Sequence, residues 1–246
     1  MATNRGNTVL VTGASGGIGG AIARAFGVRG HRVAVHYHTR PAPAQAVVEG
    51  IRQAGGQAAA FCADLTQEAE VERLFAGIEA HFGPVEVLVN NAGVAWQGLL
   101  TDMSLAQWRQ VMDSDLGSVF LCCRRALPGM IRQKSGCILN ISSMWGQQGA
   151  SCEAAYSAAK AGVIGLTKAL AQEEGPSGVR VNCIAPGVID TPMNGHLSAA
   201  DLAALQEETP LMRIGTPEDV AQAAVFLSES PFITGQVLGV NGGFVL

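Results

Sequence analysis

Charge is scarce in this chain. Only 15% of its 246 residues are charged, the formal net charge is −4, and there is no basic run or tail. Such a surface neutralises few phosphates, which argues against nucleic acid as a partner. Long hydrophobic runs are missing too. Hydrophobic residues make up 48% of the chain, yet no apolar stretch reaches about 18 residues without a charge or a turn signal, so no membrane span is expected. The N-terminus, Met1-Ala-Thr-Asn-Arg-Gly-Asn7, lacks the apolar segment of a signal peptide, and a cytoplasmic protein is expected. The six cysteines (Cys62, Cys122, Cys123, Cys137, Cys152, Cys183) form no Cys-x-x-Cys pair and have no histidine cluster beside them. No metal site is expected. Cys62, Cys137 and Cys183 lie in or beside apolar strand patterns, where a thiol acts as a small hydrophobe. Cys152, just before Tyr156, would be more accessible.

What is present is a regular alternation of short apolar runs and helical patterns. Strands are expected at 8–11, 32–37, 58–62, 85–89, 137–141, 179–184 and 237–240. Helical patterns cover 22–28, 44–54, 67–81, 104–132, 153–174 and 217–228, the last opened by the capping sequence Thr216-Pro-Glu-Asp219. Alternation of this kind predicts an α/β fold: one Rossmann-type, doubly wound parallel sheet of about seven strands with helices on both faces. Its ligands would sit at the strand C-termini. The length suits a single domain over 1–246. Residues 188–213 are rich in Met, Thr and Pro and fit a substrate lid.

The first strand runs into Thr12-Gly-Ala-Ser-Gly-Gly-Ile-Gly19 and then a helix. In that context the glycines permit a tight turn at Gly13, and at Gly17 and Gly19 a close approach of backbone to pyrophosphate and of helix to strand. The helix N-terminus offers amides and a positive dipole end to phosphate. At the end of the second strand an acid would favour NAD(H) and a cation a 2′-phosphate. The chain has Tyr37-His-Thr-Arg40 there and no acid, so NADP(H) is expected, with Arg40 as phosphate partner and NAD(H) as the alternative. His36 and His38 are expected on strand and loop surface. Asn90-Asn-Ala-Gly93 at the end of the fourth strand suits close contact with a planar ring, and equally a plain turn.

Tyr156 and Lys160 are four apart and would share one helix face, one turn apart. Ser143 follows the strand Cys137–Ile141. A lysine cation favours the phenolate and lowers a tyrosine pKa that is ordinarily about 10. A serine hydroxyl can hydrogen-bond a carbonyl oxygen as charge develops on it. The set suits proton transfer to a carbonyl, although the same spacing also occurs on solvated helix faces. Trp96, Met144 and Trp145 are expected near the pocket mouth or in packing. Arg125, Arg132 and Lys134 would attract an acidic carrier protein or serve as ordinary helix-end charges. Asp113 and Asp201 read as surface acids or caps.

Taken together and in order, Thr12-Gly-x-x-x-Gly-x-Gly19, Asp64, Asn90-Asn-Ala-Gly93, Ser143, Tyr156-x-x-x-Lys160, Asn182 and Pro186-Gly187 through Thr191 resemble the short-chain dehydrogenase/reductase family over nearly the whole chain. Asp64-Leu-Thr66, Val181-Asn-Cys-Ile-Ala-Pro-Gly187, Ile233-Thr-Gly-Gln236 and Val240-Asn-Gly-Gly243 are most similar to bacterial 3-oxoacyl-(acyl-carrier-protein) reductases. The resemblance implies that Gly13, Ser15, Gly17, Ile18 and Gly19 cradle the pyrophosphate and that Tyr37, Arg40, Asp64 and Leu65 surround the adenosine. It places Asn91, Ala92 and Gly93 near the cofactor and Pro186, Gly187, Val188 and Thr191 beside the nicotinamide. It makes Tyr156 the general acid, Lys160 the residue that tunes it and holds the nicotinamide ribose, and Ser143 the residue that positions the carbonyl. It also implies a homotetramer.

One position departs from the family. Asp115, in Met112-Asp-Ser-Asp115, stands where relatives carry an Asn that supports a water linked to the lysine. An ionised Asp115 would cancel part of the help that Lys160 gives Tyr156; a protonated one would donate like the amide. Asp115 therefore joins Ser143, Tyr156 and Lys160 in the expected catalytic set. In the glycine loop, Gly16 stands where many NADP-using relatives have a cation. The expected function is NADPH-dependent reduction of a 3-oxoacyl thioester on acyl carrier protein, as in fatty acid biosynthesis. The alternatives are a reductase or dehydrogenase of another small carbonyl or alcohol (polyketide, sugar or steroid), or a weakly active cofactor-binding partner subunit.

Overall fold

The strands are short and apolar on both faces, as parallel strands covered by helices on both sides must be. β1 (Thr8–Val11) is buried throughout. Val9 and Val11 turn to one side of the sheet and Leu10 to the other, and the same parity holds for Val33, Ala34 and Val35 and for Val87, Leu88 and Val89. The computed structural model describes residues 6–195 and 197–245. The first five residues, on which the reading of the N-terminus rests, lie outside the described residues, as do position 196 of the 188–213 segment and position 246.

All seven strands are parallel: β1, β2 (Arg32–Tyr37), β3 (Gln57–Cys62), β4 (Val87–Asn90), β5 (Gly136–Ile141), β6 (Val179–Pro186) and β7 (Val237–Val240). Their order is β3-β2-β1-β4-β5-β6-β7. The order reverses between β1 and β4, and a crevice opens beyond the carboxyl ends of the strands at such a switch point.

Helices α1 (Gly17–Gly27), α2 (Pro41–Gln53) and α9 (Pro217–Glu229) cover one face through Ile22, Phe26, Val47, Ile51, Val220 and Val225. Helices α3 (Glu68–Phe82), α5 (Ser118–Gln133) and α7 (Ala154–Glu174) cover the other through Phe75, Ile78, Val119, Leu127, Val163 and Leu170. Phe75 is fully buried, so truncation to alanine would cost about 3–5 kcal/mol.

Three expectations are corrected. α1 begins at Gly17, not Ile22, because the glycine loop itself forms the first helical turn. The stretch 104–132 is not one helix: α4 (Leu105–Met112) is followed by a π-helical turn, Asp113–Gly117, before α5. A short helix, α6 (Met144–Gln148), precedes α7. Within 188–213 lies α8 (Ala199–Glu208), which, like α9, opens on a capping box, Ser198 with Asp201 and Thr216 with Asp219. Asp201 is thus the expected cap, and Asp113 is exposed.

Candidate active site

The reactive residues are placed by strand ends and helix starts. Ser143 follows β5 and caps α6, its Oγ accepting the Trp145 N–H at 3.1 Å. One turn of α7 separates Tyr156 from Lys160, and the Lys160 Nζ lies 5.5 Å from the centre of the Tyr156 ring. Ser142 fixes that turn by donating its hydroxyl to the Lys160 carbonyl at 2.8 Å.

Lys160 is buried, with its Nζ donating to the Ile141 carbonyl at 3.2 Å. Its charge is met by Asp115 Oδ2 at 3.1 Å. The π turn delivers this carboxylate: Asp115 is fully buried inside an otherwise exposed-edged helix, and its Oδ1 accepts the Val94 N–H at 2.8 Å. π turns recur at functional sites because they redirect a side chain without ending the helix. Oδ1 thus has a backbone donor, while Oδ2 is met by the lysine ammonium as an ion pair and has no hydrogen-bond partner of its own among the described residues. Gly93 closes over the pair. A Cβ there would sit 2.6 Å from Asp115 Oδ2 and 3.2 Å from Lys160 Nζ.

Burial works against the Lys160 ammonium, but the negative charges facing it, Asp115 first and Tyr156 next, together hold the lysine above its ordinary value of 10.5. Burial also raises the Tyr156 phenol above 10.0; Lys160 pulls it down, while Asp115 and Glu153 push it up. The lysine's expected help to the tyrosine is therefore opposed first by burial and then by the aspartate.

The residues Ser143, Tyr156, Lys160 and Asp115 line the same cleft, of about 750 Å³, as the glycine loop. Every residue expected at the cofactor lines this cleft except Gly19. That glycine is buried against β4: a Cβ would stand 2.5 Å from the Asn91 Nδ2, so its role is the approach of helix to strand. Asn91 itself holds the loop, its Nδ2 donating to the carbonyls of Thr12 at 3.0 Å and Gly13 at 3.2 Å. Ser15, Gly17 and Ile18, at the N-terminus of α1, border the cleft as a phosphate site requires. Arg40 is exposed at the N-cap of α2 and lines the same cleft. These residues fit a dinucleotide.

Other residues fall elsewhere. Trp96 packs with Val111 and Ala159, away from the cleft wall, whereas Met144 and Trp145 line it. Arg125 is held by Glu72 and Glu79 at 2.8 Å each, so its charge is already paired within the chain. Cys62 is exposed, against the expectation for a strand thiol, and Cys137 and Cys183 are buried. The main omission is His36, expected on the surface but 2% exposed and bonded through both ring nitrogens. Its signal was parity: it shares a strand face with Ala34, which is core. Glu153, which borders the cleft beside Tyr156, was also passed over. Among the described residues there is no cluster suited to a metal ion and no helix long and apolar enough to cross a membrane.

Known proteins resemble this chain throughout. The family described as "Enoyl-(Acyl carrier protein) reductase" matches residues 13–245. A 3-oxoacyl-(acyl-carrier-protein) reductase of Staphylococcus epidermidis is 41% identical, covering 97% of this chain and 99% of its own length. The corresponding reductase of Synechocystis sp. is 44% identical over 96% of both chains. The uncharacterized oxidoreductase YmfI of Bacillus subtilis (strain 168) is 39% identical over 96% of this chain and 98% of its own. A solved structure of a candidate gluconate dehydrogenase from Agrobacterium tumefaciens superposes with a TM-score of 0.94 at 36% identity, covering 98% of this chain and 97% of that one. With likeness of this extent and a serine, tyrosine and lysine gathered at the strand ends, the chain belongs to the short-chain dehydrogenase/reductase family and is an oxidoreductase.

Proposed function

We propose that the protein reduces a 3-oxoacyl thioester, carried on acyl carrier protein, to the 3-hydroxyacyl form with NADPH as reductant. One observation carries the reading: Ser143, Tyr156 and Lys160 line a single cleft together with the glycine loop. The names of the Staphylococcus and Synechocystis relatives support the substrate class. When bound, the nicotinamide supplies the hydride. The Ser143 hydroxyl orients the carbonyl, and the Tyr156 O–H gives its proton to the carbonyl oxygen. Lys160 steadies the phenolate that remains, and its ammonium is held in place by Asp115 and the Ile141 carbonyl. Arg40 favours the 2′-phosphate, there being no acid at the end of β2.

The test is a steady-state assay with a short 3-oxoacyl thioester, NADPH against NADH, and Tyr156→Phe alongside. Turnover with NADPH that Tyr156→Phe abolishes supports the reading. Tight NADPH binding without turnover refutes the substrate class and favours a different carbonyl substrate or the partner-subunit reading.

A second reading has its own observation. Glu153 brings a carboxylate to the cleft wall three residues before Tyr156. Carboxylates accept hydrogen bonds from hydroxyl groups, which suits a polyhydroxylated substrate, as the name of the Agrobacterium protein indicates for that relative. Oxidation of a sugar acid with NADP⁺, absent with the thioester, would favour it. In either case the enzyme is proposed to be cytoplasmic and homotetrameric; exposed Phe120 and Ile131 on α5 and Phe226 on α9 support self-association.

A further inference from the structure

The dinucleotide reading leaves one buried titratable side chain unused. His36, the penultimate residue of β2, lies at the foot of the cleft and is 2% exposed. Its Nδ1 accepts the Gly13 N–H at 3.1 Å, and its Nε2 meets the Ala63 carbonyl at 3.0 Å. The backbone adds to both ties: the Ala14 N–H donates to the His36 carbonyl at 2.8 Å, and the Ala63 N–H donates to the Tyr37 carbonyl at 3.1 Å. Gly13 stands just past the end of β1 and Ala63 just past the end of β3. One imidazole therefore spans three strand ends. The loop that follows Gly13 carries the phosphate-site amides of Ser15 to Ile18, and the chain that follows Ala63 carries Asp64 and Leu65 on the adenosine wall.

The partners fix the tautomer. Gly13 offers only a donor, so Nδ1 must be the lone-pair nitrogen; Ala63 offers only an acceptor, so Nε2 must carry the proton. A single neutral form satisfies both, and an imidazolium would set two donors against each other at Gly13. Burial pushes the His36 pKa down to about 4, in keeping with a ring held neutral. No water or side chain is needed to complete the arrangement.

We infer that His36 is a positioning residue for the cofactor: through the Gly13 amide it sets the glycine loop against the adenosine wall and so fixes where the pyrophosphate is received. This rests on the dinucleotide reading of the cleft, but not on the choice between NADPH and NADH, because the pyrophosphate is common to both.

The test separates the two ring nitrogens. An asparagine amide oxygen can take the place of Nδ1, and a glutamine amide NH₂ the place of Nε2. His36→Asn keeps the acceptor for Gly13 and should bind NADPH and NADH within about threefold of the wild-type chain. His36→Gln keeps only the Ala63 bond and leaves the Gly13 N–H without a partner. It should raise the dissociation constants and KM values of both cofactors about tenfold, with kcat within twofold, as for one lost buried hydrogen bond. Equal losses in the two variants, or no loss in either, would overturn the inference, as would a kcat that falls in step with KM. A second measurement needs no stable glutamine variant. Imidazole ¹⁵N shifts at pH 7, with the His36 signal assigned by its absence in His36→Asn, should report a bare Nδ1 and a protonated Nε2. The opposite tautomer, or an exchanging mixture, would overturn the inference. If only the preference for NADPH fails, Arg40→Ala will leave the NADPH/NADH ratio unmoved while the His36 variants still behave as stated.

Discussion

Replacing Asp115 with asparagine removes one negative charge from a buried cluster and little else. With its phenol protonated, the cluster of Asp115, Lys160 and Tyr156 is neutral overall; in the variant it carries one positive charge. A more positive cluster loses its next proton at lower pH, whichever of the coupled groups releases it. The geometry sets the size. Lys160 Nζ is 5.5 Å from the Tyr156 ring centre, which at an effective dielectric of about 20 favours the phenolate by about 3 kcal/mol. Asp115 Oδ2 is 3.1 Å from Nζ and hence no more than about 8.6 Å from the ring, where it opposes the phenolate by at least about 2 kcal/mol. Removing that opposition should lower the alkaline limb of the pH profile for reduction by roughly one pH unit or more. The pair is buried, so the displacement should change little between low and moderate ionic strength. Lys160 would then be left buried beside the Ile141 carbonyl alone, and about 3 kcal/mol of stability should go with the pair. The assay is kcat/KM against pH at a temperature where both proteins are folded, with circular dichroism as the check on folding. An alkaline limb that stays in place in a folded Asp115→Asn protein would refute the electrostatic coupling.

Three further outcomes are expected. Arg40→Ala should raise the KM for NADPH about tenfold more than that for NADH, and because Arg40 is exposed the gap should narrow as salt is added; equal effects on both cofactors would remove Arg40 from the phosphate site. Gly93→Ala would push a methyl group to within 2.6 Å of Asp115 Oδ2, so kcat should fall at least about tenfold through displacement of Lys160; an unchanged kcat would mean the pair can shift without consequence. His36 has a folded pKa of about 4 against an ordinary 6.5, so the unfolded chain binds its proton more readily. Its contribution to stability is complete above 6.5 and lost as pH falls towards about 4, up to about 3 kcal/mol in all, and urea unfolding of His36→Asn should lack that portion of the acid slope.

The sheet and the reactive set were legible because each depends on a local pattern. Strands such as Val33 to Val35 are apolar on both faces, and Tyr156 and Lys160 are spaced by one helical turn, so neither needs tertiary information. What escaped depends on contacts between distant segments. The stretch 104–132 has continuous helical periodicity, and the π turn at Asp113–Gly117 adds one residue with only Gly117 at its end to mark it, a residue that helices also tolerate. Asp115 could be flagged as unusual by its residue type, but its partners, the Val94 N–H on Oδ1 and the Lys160 ammonium beside Oδ2, come from distant segments that only the fold brings together. His36 was misplaced for a different reason. A polar residue near the end of a strand is ordinarily solvated, and only the return of the glycine loop and the Ala63 turn over β2 encloses it. Trp96 shows the converse: its neighbours at Gly93 and Val94 border the cleft, yet its own ring turns back onto Gly98 and the Val111 cluster.

The cleft solves the burial of a titratable group in two opposite ways. His36 is kept neutral by partners that one tautomer can satisfy, whereas Lys160 is kept charged by an aspartate that neutralises it. The second solution has a consequence for the chemistry that the first does not. Because the equilibrium between ketone and alcohol is fixed by the substrates and the pH, Asp115 cannot favour reduction over oxidation in the ratio of their kcat/KM values. What it can do is decide which protonation state of the free enzyme prevails. By opposing the phenolate it extends to higher pH the form with a proton on Tyr156, which begins reduction, and delays the deprotonated form, which begins oxidation. An enzyme that meets its substrate as a ketone loses nothing by this, and gains a proton donor that stays loaded across the whole neutral range. On this argument the aspartate belongs with a reductase. Transferred into a relative that works as an alcohol dehydrogenase, the same substitution should move the onset of oxidation to more alkaline pH, and an onset that did not move would show that the direction of catalysis places no demand on this position.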